Sequence, residues 1–335
     1  MNLFRATLRH SRTGAIAFTF LVLMSQVAIF APLFASDLPV AVSLSGKTFW
    51  LPCFTQPAEL LGETQQTLAT RAEWMVPTLV THGPAQSLLS EAPAGQVPPF
   101  APQTGLLFGS DEIGRDVLAR LIHGTRTSLF IAGLTVLFTL IIGSLLGSLA
   151  ALRGGLVDSI VLRCIEVTSA LPGALLLLAV LAVTRIHSLT ALALLMALLR
   201  WPDVARLLRA EVLKLKNADF VIAARSYGAS EFRILRKHLL PNAAGPLLIA
   251  AVSLLASTLL LESALAFLGF GAAAPTASWG ELLAQAHRNL VFPGACWLAL
   301  FPGALLFATV LCAHVFAEAA QRTFDGGTGA ATVSR

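Results

Sequence analysis

From residue 14 onward the chain alternates long uncharged apolar runs with short polar stretches. A helix needs roughly 20 predominantly apolar residues to cross a hydrocarbon core, and six runs approach that length. Gly14–Phe34 follows Arg5, Arg9 and Arg12, and Ser128–Leu152 is uncharged for 25 residues. Val167–Thr184 carries Pro172, which a membrane helix tolerates when neighbours satisfy the freed carbonyl. Ile186–Leu199 is short and is expected to extend past Trp201-Pro202. Ala243–Phe267 and Ala295–Phe316 complete the set. Basic residues before an apolar run also mark a cleaved signal peptide. Gly14–Phe34 is longer than the ~7–15 residues of a signal's apolar region, so it reads as a retained span.

Composition agrees with a bilayer as solvent. Of 335 residues 56% are hydrophobic and only 12% charged, whereas soluble domains run near a quarter charged. Cys53, Cys164, Cys296 and Cys312 are scattered without metal-type spacing, so neither a disulfide framework nor a metal site is expected. No His pair, HExxH motif or Ser/His or Asp/Asp constellation suggests an intramembrane enzyme. Nothing calls for a cofactor.

Charge sets the expected orientation. Residues 200–238 hold nine Lys/Arg and four Asp/Glu, while residues 36–113 hold two Lys/Arg and seven Asp/Glu. Basic loops stay in the cytoplasm, so both termini are predicted inside. The organisation that follows begins with an N-terminus and first span over 1–35 and an extracytoplasmic insertion over 36–107. An interfacial amphipathic segment over 108–127 comes next. A five-helix core over 128–320 contains a cytoplasmic loop at 200–242, and 321–335 is a cytoplasmic tail. The net charge of the insertion leaves two readings open, a receiving surface for a cationic partner and a merely soluble outer face.

One motif points elsewhere and is rejected. "AVSLSGKT" (41–48) fits a relaxed phosphate-loop pattern with Ala41 in place of the first Gly. A phosphate loop works between a buried strand and a helix N-terminus. Phe49-Trp50-Leu51-Pro52 cannot open such a helix, and the predicted topology puts Lys47 outside the cytoplasm, away from ATP. A polar turn joining two extended pieces is expected.

The informative stretch is "NADFVIAARSYGASEFRILRKHLLPN" (217–242). It reads as two short helices around a turn. Asn217 is a candidate cap for the first, and Gly228 suits the C′ position where φ is positive. Ser230 can cap the second, with Glu231 well placed against the helix dipole. Pro241 is expected to close it. Ala223, Ala224 and Gly228 make a small-residue face ringed by Arg225, Arg233, Arg236 and Lys237.

The spacing Ala223-Ala224, Gly228, Leu240-Pro241 resembles the "EAA" loop of ABC importer permeases, with Ile222 where that family has Glu and His238 where it has Ile. Three more segments are similar to the dipeptide/oligopeptide (C-type) branch. These are "FGSDEIGRDVLARLIHGTRTSL" (108–129), "LESALAFLGFG" (261–271) and "PTASWGELL" (275–283). In the first, Ile113, Val117, Leu121 and Ile122 form an apolar face opposed by Glu112, Arg115, Asp116 and Arg120, which suits an interfacial helix. The long outer insertion resembles that of importers of longer peptides or peptide-like compounds, such as microcin C-type peptide–nucleotide antibiotics.

The resemblance implies an all-α membrane protein of six transmembrane helices with the type I ABC importer permease fold and a periplasmic insertion between helices 1 and 2. It implies a bacterial cytoplasmic (inner) membrane location and peptide import. A homologous B-type permease, two ABC ATPase subunits that hydrolyse the ATP, and an extracytoplasmic substrate-binding protein would be partners, with no nucleic acid. Ala223, Ala224, Arg225, Ser226, Gly228, Ala229 and Ser230 would dock the ATPase, with Leu240 and Pro241 closing the loop. Glu262, an ionisable group near a span, is expected either to gate the pathway or to tie two helices. Import of nickel or glutathione is the alternative within the family. A self-sufficient channel or secondary transporter is the alternative from another class, and the nearly charge-free mid-span regions and lack of internal repeats argue against it.

Overall fold

The structure is a computed structural model that describes residues 11–89, 97–184, 188–272, 275–289 and 295–333, with backbone alone beyond Phe324. Arg5, Arg9, Ile186 and the last two residues of the predicted tail lie outside the described residues, as do 90–96 of the insertion. Among the described residues the helices of eight residues or more are α1 (Arg12–Ile29), α2 (Val117–Arg153), α3 (Gly155–Ala170), α4 (Gly173–Thr184) and α5 (Leu189–Leu215). They continue with α6 (Asp219–Ser226), α7 (Leu240–Phe267), α8 (Trp279–Arg288) and α9 (Trp297–Val333).

Among the described residues four helical segments are long and apolar enough to cross a membrane: α1, α2, Glu231–Phe267 and Trp297–Phe324. The run Val167–Thr184 is not one straight span. It belongs to α3 and α4, which meet at 78° around Leu171-Pro172 and make a fifth span only if the bent pair counts as one. The cause is local. A residue before proline is disfavoured in the α region, and Leu171 is extended at φ −96 and ψ 141. The run Ile186–Leu199 does extend past Trp201-Pro202, as α5. Arg200, Asp203, Arg206 and Arg209 make its second half too polar for a span. Of the six runs, four give helices that qualify by length and composition among the described residues, or five with the bent pair.

The chain divides into two compact units, Met1–Leu21 with Ile131–Leu261 and Val310–Arg335, and Val22–Phe130 with Glu262–Thr309. In the first, α5 lies against α2 at Gly143 and Gly147. A Cβ at Gly143 would stand 2.7 Å from the Cβ of Val204, and one at Gly147 would run into the carbonyl oxygen of Ala205. Small residues four apart let two backbones approach in this way. Gly14 of α1 likewise faces Ala319 of α9, where a Cβ would lie 2.8 Å from the Ala319 Cβ.

In the second unit the insertion departs from the all-α expectation. Ala41–Leu44 (β1), Lys47–Trp50 (β2) and Trp74–Val76 (β3) form an antiparallel sheet in the order β2-β1-β3. Ser45 and Gly46 both have positive φ, 49 and 77, which a two-residue hairpin turn requires. "AVSLSGKT" is therefore a hairpin, with Lys47 exposed and 3.4 Å from Glu59. Leu38, Val42, Leu60 and Leu68 pack beneath it. The buried Gln65 amide donates to the Ser36 carbonyl at 2.8 Å and to Thr78 Oγ1 at 2.6 Å, tying the start of the insertion to the segment after β3.

Candidate functional site: the 217–242 turn and the Glu262 cluster

Helix α6 begins after Ala218, which offers no side-chain cap, so Asn217 is not the capping residue; Asp219 supplies the acidic first turn. Past its end, Gly228 has φ +78. The Ala229 N–H donates to the Ala224 carbonyl at 3.1 Å and the Gly228 N–H to the Arg225 carbonyl at 3.0 Å. This is the paired 6→1 and 5→2 arrangement of a Schellman motif. A Cβ on Gly228 would meet nothing within 4 Å, so conformation rather than space demands glycine. Ser230 Oγ then accepts from the Arg233 N–H at 3.4 Å. Arg225 bridges the turn, with Nη2 2.9 Å from Glu231 Oε1.

Leu240 and Pro241 do not close the segment. The helix passes through them into α7 by way of a π turn at Leu235–Leu239. A proline ring clashes with the carbonyl four residues back and offers it no N–H. A wider turn just before Pro241 relieves both problems, and the Asn242 amide donates to the His238 carbonyl at 2.6 Å.

Val221, Ile234 and Leu239 are fully buried against Ala151, Leu208, Val212 and Ala243. Ala224 and Ala229 are packed against that cluster, so the proposed small-residue face is split. Ala223, Arg225, Ser226, Gly228 and Ser230 are exposed. The outward surface also carries apolar groups outside the small-residue motif. Phe220 is 41% exposed, Ile222 51%, Phe232 70% and Tyr227 92%. Their signal in the sequence is three aromatic residues in a basic segment with no apolar period to absorb them.

The base beneath this surface is fixed by charge. Arg209 donates to both carboxylate oxygens of Asp158 at 2.6 Å, joining α5 to α3. Fork-on-carboxylate pairing of this kind is strong and directional. Lys216 Nζ donates to the Ala151 carbonyl at 3.2 Å, a basic cap on the carbonyl end of α2.

In the second unit Glu262 is fully buried. Ser128 Oγ of α2 donates to Glu262 Oε2 at 3.1 Å and accepts from the Trp279 N–H at 3.3 Å. Gly280 permits the approach of α8, since a Cβ there would lie 2.6 Å from the Ser263 Cα. Glu262 therefore sits where α2, α7 and the start of α8 meet.

The segment 108–127 is not the amphipathic interfacial helix its spacing predicts. Helix begins only at Val117, and much of the polar set is buried together with Val117 and Leu121. Asp111 is wholly buried, as are Arg115, Asp116 and Arg120, while Ile113 is 47% exposed. Arg115 Nε donates to Asp111 Oδ2 at 2.7 Å, and Arg120 stands 3.3 Å from the same oxygen while reaching Glu281 with Nη2. Spacing alone cannot distinguish a wet charged face from a buried ion network. On the surface of this unit Arg288 donates to Glu112 at 2.9 Å. Burial alone would push the Glu112 carboxyl up, but hydrogen bonds from Arg288 and Asn289 and the charges of Arg288 and Arg115 hold it below its ordinary value.

A helical membrane protein is the class these apolar helices define. Residues 143–326 match the family of binding-protein-dependent transport system inner membrane components, and the chain belongs to that family. It is 35% identical over 249 residues to the dipeptide transport system permease protein DppC of Bacillus subtilis, covering 74% of this chain and 75% of that one. It is 33% identical over 253 residues to the probable D,D-dipeptide transport system permease protein DdpC of Escherichia coli, covering 76% and 82%. Among solved structures an inward-facing form of the MetNI methionine ABC transporter aligns with a TM-score of 0.49 at 21% identity, over 61% of this chain and 94% of that one.

Proposed function

We propose that this chain is the membrane-spanning permease subunit of an ATP-driven importer of dipeptides or oligopeptides. In this reading a homologous B-type permease completes the pathway and an extracytoplasmic binding protein delivers the peptide. Two ATPase subunits dock on the 217–242 segment and hydrolyse the ATP. Both termini and the 200–242 loop are cytoplasmic, α3 with α4 and α5 supply the remaining crossings of a six-span core, and the insertion faces outward.

The observation that carries the reading is the 217–242 turn. It is a short helix, a Schellman turn at Gly228 and a second capped helix, set on a buried apolar base and bound by Lys216 to the end of a spanning helix. Force applied to the exposed Phe220, Tyr227 and Phe232 would pass to α2 and α7 without passing through a flexible loop. A partner with different contacts to this surface in two states would bias two states of the membrane helices. In the same reading Glu262 is a helix tie, because its carboxylate is engaged by Ser128 on another helix.

Deleting the chain's gene and restoring it, with uptake of labelled trialanine as the readout, tests the proposal. Uptake lost on deletion and recovered on restoration supports it. Undiminished peptide uptake alongside loss of a metal ion or glutathione supply would turn the reading toward those substrates.

A further inference from the structure

A second feature of the first unit falls outside the 217–242 turn. The break between α3 and α4 opens beside a cavity of about 710 Å³, lined by Thr168, Ser169, Arg200, Asp203, Arg206 and Ser257 among others. Its floor is apolar and firm, since Leu177 and Met196 there are fully buried. Three of the lining groups are charged, two guanidiniums against one carboxylate, in a chain that is otherwise 12% charged.

The charged groups are organised. Asp203 is shared, with Arg200 Nε 3.2 Å from its Oδ2 and Arg206 Nη2 donating to its Oδ1 at 3.2 Å. Arg200 also donates to Ser257 Oγ of α7 at 3.0 Å, and Ser257 in turn donates to the Leu254 carbonyl at 3.1 Å. Arg200 is thereby held by its own helix and by α7. A guanidinium has five N–H donors, and these contacts leave donors on both arginines unused. One carboxylate shared by two guanidiniums leaves a net positive charge at the wall.

The backbone gives the second line of argument. At Leu171-Pro172 the chain leaves helical geometry inside a run that is otherwise apolar. Irregular backbone at membrane depth is tolerated where it lines a wet cavity or is buried in protein, and discontinuous helices mark ligand sites in transport proteins. Arg200, Asp203 and Arg206 begin the 200–242 segment that the proposed topology places in the cytoplasm, so the cavity stands at the cytoplasmic end of the pathway. The cavity is of the size that takes a small ligand.

We propose that this cavity is a station on the translocation pathway that receives a carboxylate of the passing peptide. Arg200 and Arg206 bind the anion by hydrogen bonds from their free N–H groups, and Asp203 and Ser257 position the two guanidiniums. The net charge at the wall selects for an anionic group. The sharing of Asp203 keeps the two cations from holding the anion too tightly to release. This inference rests on the peptide-permease reading and adds a place on the chain where the substrate is held.

The test is protection from a thiol reagent in membranes opened to both faces. Thr168→Cys is made in a chain whose four native cysteines are replaced by serine, with Ser169→Cys as a second reporter. Trialanine and trialanine amide are the probes. Trialanine is expected to slow labelling by a small cationic methanethiosulfonate several-fold and the amide to leave it unchanged. The protection should vanish when Arg200→Gln and Arg206→Gln are added together. Equal protection by both probes, none by either, protection that survives the double change, or a dry cavity that labels at neither position would each overturn the proposal. The labelling needs no ATPase or binding protein, so its outcome is independent of whether those partners are recovered with the chain.

Discussion

Gly228→Val probes the link between the turn and transport most sharply. An L residue in the left-handed region costs roughly 1–2 kcal/mol, and a β-branched side chain is the least suited to it. The two Schellman hydrogen bonds at Gly228 and Ala229 are lost on opening with either residue, so the strain alone sets the difference. A net change of about 2 kcal/mol would lower the equilibrium constant for the docking conformation about thirtyfold. Space is not at issue, since a Cβ there meets nothing within 4 Å. The buried base of Val221, Ile234 and Leu239 does not include Gly228, so insertion and membrane level should be unaffected. Peptide uptake at matched membrane levels should fall by an order of magnitude or more for Val. It should fall less for Ala and little for Asn, which tolerates positive φ. Normal uptake with Gly228→Val, or equal losses for Asn and Val, would refute the claim that the shape of this turn transmits the work.

Four further outcomes follow from the same geometry. Tyr227→Ala, at a side chain 92% exposed, should weaken ATPase retention in a detergent pull-down without moving the thermal midpoint of the isolated chain; unchanged retention would remove Tyr227 from the surface. Arg120→Met should destabilise the second unit by about 3–5 kcal/mol, the range for breaking a buried ion pair, and towards the lower end because Asp111 keeps Arg115; an unshifted thermal midpoint would contradict the network. Glu262→Ala separates the two roles of that residue: a tie predicts lower thermal stability together with lower uptake, whereas a gate predicts altered uptake at full stability. The Glu112–Arg288 contact should contribute above the ordinary carboxylate pKa, about 4.3, and fade as pH falls through the depressed value. Because Arg288 is 54% exposed, the difference in stability between wild type and Glu112→Gln should stay under about 1 kcal/mol at neutral pH and vanish in acid.

Hydrophobic runs were enough to find the spanning helices because a bilayer imposes a length that few other environments require. They were misleading where local chemistry overrode the run. Leu171-Pro172 breaks an apolar stretch by a steric rule that hydropathy does not register. In α5 the helix continues past the point where apolarity stops, because helix propensity and the seat on Gly143 and Gly147 do not depend on it. The Gly-x-x-x-Gly spacing at 143 and 147 was visible and would have predicted that close approach. In the turn, Gly228 and Ser230 were legible because their roles are set by backbone geometry within a few residues. The division of Ala223 from Ala224, and the fate of Arg115, Asp116 and Arg120, depend on partners distant in sequence. Tertiary packing decides them. Pro241 shows the converse: the clash that a proline creates predicts a stop, and the helix absorbs it as a π turn.

The most direct measurement is a mild-detergent pull-down of the full chain from its native membrane, with the proteins that accompany it identified. The account predicts a second, homologous permease and ATPase subunits, with the ATPases depleted by Tyr227→Ala and the permease retained. A chain that is recovered alone and still transports would contradict the assignment of ATP-driven coupling to the 217–242 turn.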